Sequence, residues 1–135
     1  MSYPQPAKKA AARAYCRFGL ATFTIGVKAA NTITVTVVLK DERANALAEI
    51  VNAEFYLSDN ADGSTLTATV PTSNLAIHSK GVIIGTLTTN KAGEIITNAV
   101  GTFDLDITQT ASPVTYYLVI IKPDGGLLVS GAITF

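Results

Sequence analysis

Side chains alternate between Thr32 and Leu39, with Ile33, Val35, Val37 and Leu39 on one side and Thr32, Thr34 and Thr36 on the other. A period of two places one face on a core and the other near water, which is the signature of a half-buried β-strand and is incompatible with a helix. The same rhythm returns over residues 50–58, where Val51, Ala53, Phe55 and Leu57 alternate with Asn52, Glu54, Tyr56 and Ser58. It appears again from Thr102 to Thr108, where Phe103, Leu105 and Ile107 point inward and Asp104 and Asp106 outward. Tyr116 to Ile121 is apolar on both faces, as a central strand requires.

Turn chemistry separates these runs. Lys40–Asn45 is a polar connection, and Asp59–Gly63, Ser79–Gly81 and Thr89–Gly93 are turns by composition. In Lys122–Gly126, Pro123 presets φ and the two glycines accept positive φ, so Leu127–Phe135 is expected to pair back on Tyr116–Ile121 as the last strand. Further strands are expected over Phe18–Val27, Thr65–Val70 (halted by Pro71), Leu75–Ile77, Val82–Leu87 and Glu94–Val100. Eight or nine short strands at regular spacing predict an all-β domain, a β-sandwich whose topology, immunoglobulin-like or jelly roll, periodicity does not decide.

A chain of 135 residues, 48% of them hydrophobic and 15% charged, fits a single globular domain that buries its own core. Charge is unevenly placed. Lys8, Lys9, Arg13, Arg17, Lys28 and Lys40 all precede the first acid, Asp41, and the remainder sets ten acids against Arg43, Lys80, Lys91 and Lys122. Residues 1–17, rich in alanine and lysine, therefore read as an N-terminal basic arm, extended or a short helix, attached to a sandwich domain over 18–135. Lys8, Lys9, Arg13 and Arg17 are its candidate partner contacts, with Phe18 and Phe23 as apolar anchors. No apolar run suggests a signal peptide or a membrane span, so synthesis and assembly in the cytoplasm are expected.

Catalysis is not expected. A nucleophile–base–acid relay needs a base, and the one histidine, His78, lies in a turn-like segment. Cys16 is the one cysteine, which excludes an internal disulfide and a cysteine-rich zinc site; it reads as a small apolar filler. Asp59, Asn60 and Asp62 lack the spacing and the bidentate glutamate of a calcium loop. Asp104 and Asp106 are expected to be solvated. Gly125–Gly126 lacks the lysine and hydroxyl of a phosphate loop, and no cofactor is implied. The arm is a modest footprint for nucleic acid, so a protein surface is the favoured partner.

Residues 32–135 resemble the small immunoglobulin-like proteins of tailed-phage virions. The likeness lies in Thr34–Asp41, Val51–Asp59, Gly101–Thr108 and Tyr116–Gly125 leading to Val129–Phe135, and it is one of strand rhythm and turn chemistry. It implies a virion structural role, often on the capsid exterior and often as a trimer. The expected function is therefore a capsid decoration or cement protein, with the major capsid protein as partner and a trimeric homo-oligomer. The alternative is a tail- or fibre-associated adhesin or carbohydrate-binding module that offers Tyr15, Tyr56 and Tyr116 for stacking; the absence of tryptophan counts against it.

Overall fold

The computed structural model describes residues 18–135. The arm, with Cys16, lies outside them. Ten strands follow in order: β1 (Leu20–Ile25), β2 (Thr32–Lys40), β3 (Asn52–Ser58), β4 (Ala76–Ile77), β5 (Val82–Thr88), β6 (Ala92–Ile96), β7 (Thr102–Thr108), β8 (Thr115–Ile121), β9 (Leu127–Val129) and β10 (Ile133–Thr134). One antiparallel sheet has the order β1-β2-β7-β4; the other runs β10-β8-β3-β6-β5, with β9 also on β8. The two antiparallel sheets stack as an immunoglobulin-like sandwich.

The core is what the alternation places inward. Val35, Val37 and Leu39 of β2 and Phe103, Leu105 and Ile107 of β7 face Phe55 and Leu57 of β3 and Leu118 and Ile120 of β8, all buried. Each such side chain stabilises the fold by about 1.5–3 kcal/mol relative to exposure. Tyr116 enters the same core near the start of β8, packs edge-on against Phe135 with ring centroids 5.9 Å apart, and accepts a hydrogen bond from Gln109 Nε2 at 2.8 Å. Its location matches the tyrosine corner of immunoglobulin-type domains, although the partner here is a side chain.

Three strand expectations change. Thr65–Val70 is not a strand: apart from a single bridge between Leu66 and Ser58, it is a loop. The Asp59 carboxylate accepts the Thr67 hydroxyl and the Ala68 N–H, giving the backbone an alternative to a ladder. The strand expected at Glu94–Val100 is Ala92–Ile96, because Asn98 Oδ1 accepts the N–H groups of Val100 and Thr102 and turns the chain. The last strand divides into β9 and β10. Ser130 stays in register with Leu118, and Ile133 pairs with Tyr116, so Gly131 and Ala132 together oppose Tyr117 as a bulge. Across this break Ser130 Oγ accepts the Leu118 N–H at 2.9 Å.

Candidate functional site

The outer face of the first sheet carries the titratable groups. Asp104 points away from the core, yet it is 3% exposed and not solvated. The connection from β4 to β5 folds over it. Asp104 Oδ1 accepts the N–H groups of Ser79 (2.8 Å) and Lys80 (2.7 Å), and Oδ2 accepts the Ser79 hydroxyl at 2.8 Å. Burial alone would raise its pKa; the hydrogen bonds from Ser79 and Lys80 outweigh burial, and the carboxyl lies below its ordinary value. Asp104 is thus a clamp that ties residues 78–81 to β7.

Asp106, two residues along the same face, accepts the Thr34 hydroxyl and lies 3.2 Å from His78 Nδ1. The carboxylate sits between the hydroxyl and the imidazole. In a relay the histidine occupies the middle, where it takes the proton of the nucleophile. This order makes Asp106 a crosslink between β2, β7 and the residue after β4. His78 is largely exposed. Among the described residues no group of three or more His, Cys, Asp or Glu side chains is arranged to hold a metal, and no helix is long and apolar enough to cross a membrane.

The residues expected to contact a partner separate. Lys8, Lys9, Arg13 and Arg17 lie outside the described residues. Phe18 is 3% exposed, within the domain's own core, and Phe23 of β1 packs against that core opposite Val37. Both anchor the start of the sandwich to itself. Of the tyrosines considered for stacking, Tyr116 is buried and Tyr56 is half-buried, its hydroxyl donating to the Gly63 carbonyl. Tyr116 therefore presents no ring to a ligand.

Alternation does not reveal the most exposed apolar strip on a sheet edge. β5 ends the second sheet, and Val82, Ile84 and Leu87 on it are 59%, 47% and 57% exposed. Its register on β6 shifts twice, between Ile83 and Gly85 and between Thr86 and Thr88. Ile84 and Leu87 are the residues left over at the two shifts, so each is released from the ladder. Beside the strip, between the two sheets, lies a groove of about 380 Å³ lined by Phe55, Asn74, Leu75, Ile83, Thr86 and Asn90, among others. β4, which begins just after the lining residue Leu75, is only two residues long.

No protein-family model and no curated protein matches this sequence.

Proposed function

We propose that this chain is a virion structural protein that binds the outer capsid surface, as a decoration or cement protein, and stabilises contacts between capsid subunits. The observation that carries the reading is the apolar edge of the second sheet: exposed apolar side chains grouped on one edge mark a protein-contact surface. The buried polar side chains support a structural role. Asp104, Gln109 and Ser130 each hold backbone or another side chain in place, and no buried side-chain polar atom among the described residues lacks a partner. The segregated charge and the likeness in strand rhythm to tailed-phage immunoglobulin-like proteins supply the capsid as partner.

On this reading the mechanism is mechanical. A rigid sandwich sits at a junction, and many weak contacts across several subunits add up through high effective concentration. The basic arm reaches an acidic capsid surface and sets orientation and on-rate more than residence time. Copies assemble as a closed ring such as a trimer. The test is co-sedimentation with expanded capsids at several salt concentrations. Replacing Lys8, Lys9, Arg13 and Arg17 together by glutamate is expected to weaken binding by roughly tenfold or more at low salt, at up to about 1 kcal/mol per exposed contact. Wild-type protein that stays in the supernatant with intact capsids contradicts the reading.

A further inference from the structure

We infer that residues 1–17 dock on their own domain, in the hollow where β8 ends and β3 begins, with Arg13 and Arg17 meeting Glu54 and Glu94. The hollow holds about 420 Å³ and is lined by apolar Phe18, Ile121 and Pro123 and by Glu54, Glu94 and Lys122, among others. Glu54 of β3 stands directly opposite Glu94 of β6. Like charges in that position destabilise a sheet. Neither carboxylate makes an ion pair or a side-chain hydrogen bond among the described residues. A cation between them relieves the repulsion.

The cations of the domain stand elsewhere or are matched already. Lys122 Nζ lies 3.9 Å from the Asp124 carboxylate. Arg43 lies beside Asp41. Lys40 is on the outward side of the first sheet, and Lys91 lies beside Leu57 at the other end of β3.

The arm supplies what is missing. Arg17 is bonded to Phe18, which lines the hollow, so the chain enters the domain beside the two carboxylates. The next residue, Gly19, abuts a third one: an added Cβ there would lie 2.7 Å from Glu42 Cγ. Lys9, Arg13 and Arg17 recur at intervals of four, which puts them on one side of the segment in a helix and in an extended chain alike. Four residues span at most about 14 Å, so Arg13 stays within reach of the same hollow. An arginine fork suits a carboxylate, and its methylenes cover apolar surface such as Ile121 and Pro123. Tethering holds the arm at a roughly millimolar effective concentration, which favours it over a separate molecule. One consequence is that any acidic partner surface competes with Glu54 and Glu94 for the arm. The inference rests on no property of a capsid.

The test is paramagnetic relaxation in the full-length protein carrying a nitroxide at residue 10, in an Ala10→Cys, Cys16→Ser background. Broadening is expected at the amides of residues 52–54, 93–95 and 121–125. It is expected to fall at least about threefold in Glu54→Gln, Glu94→Gln, the size of one or two exposed charge contacts. The same fall is expected in Arg13→Glu, Arg17→Glu, which leaves the described domain untouched. Spin-labelled protein mixed with unlabelled, isotope-enriched protein is expected to transfer no broadening. Broadening absent from the hollow, or unchanged in either double variant, overturns the inference. So does broadening passed between molecules in the mixture, which makes the arm of a second copy the occupant. No capsid enters the experiment, so its failure is distinct from a failure of capsid binding.

Discussion

At the scale of single residues, Asp104 shows how a polar side chain on a strand's outward face becomes structural. Its carboxylate satisfies two N–H groups and a hydroxyl from the covering segment, so Asp104→Ala leaves those donors without their acceptor. The expected cost is about 3 kcal/mol in urea unfolding. The contribution has a defined pH dependence. The folded pKa lies below the ordinary 3.8, so the stabilisation is complete above that value and is lost as pH falls toward the folded pKa. The difference in stability between wild type and Asp104→Asn is therefore expected to be largest near pH 7 and to shrink by pH 3. The outward direction of Asp104 was legible from alternation alone. Its burial was not, because the residues that cover it, Ser79 and Lys80, come from a different strand connection and meet β7 only in the folded chain. Val119 differs: it also points away from the core and is fully buried, because the turn at Gly63 packs onto it, and there the apolar residues on both faces of Tyr116–Ile121 had announced a covered strand.

At the scale of elements, local sequence defines β2, β3, β7 and β8 well, because these strands are half or fully buried and their apolar period matches the pleat. It fails where side chains compete for backbone groups, as Asp59 does at Thr67 and Ala68 and Asn98 does after β6. It also cannot see the break between β9 and β10, which Ser130 bridges. The crossing from β4 to β5 depends on Gly81. Its φ is 90°, and an added Cβ would lie 2.8 Å from the Ile96 carbonyl oxygen and 2.9 Å from Phe103 Cβ. Gly81→Ala is expected to destabilise by about 2 kcal/mol or more, read as a lower urea midpoint, because it combines left-handed strain with a clash against backbone. An unchanged midpoint would show that the crossing relaxes freely. This crossing positions both ends of the candidate site: it carries the Asp104 clamp and delivers the chain into β5.

At the scale of the whole molecule, two sheets of unequal size leave one long side of the sandwich incompletely closed. The groove beside β5 lies on that side, next to the short β4. Sequence reading anticipated a sandwich and a protein-binding role, and looked for the contact surface in the basic arm and in Phe18 and Phe23. The structure shows those two phenylalanines anchoring the domain to itself and exposes a second surface that no motif announces. The edge position of β5 follows from strand order, which periodicity does not encode.

The most direct measurement is the temperature at which expanded capsids lose integrity, recorded with and without saturating protein, together with the location of the bound protein on the particle. A rise in that temperature that grows with occupancy, with density on the outer surface between capsid subunits, is the predicted result. Capsids that disrupt at the same temperature and carry no bound protein contradict the account.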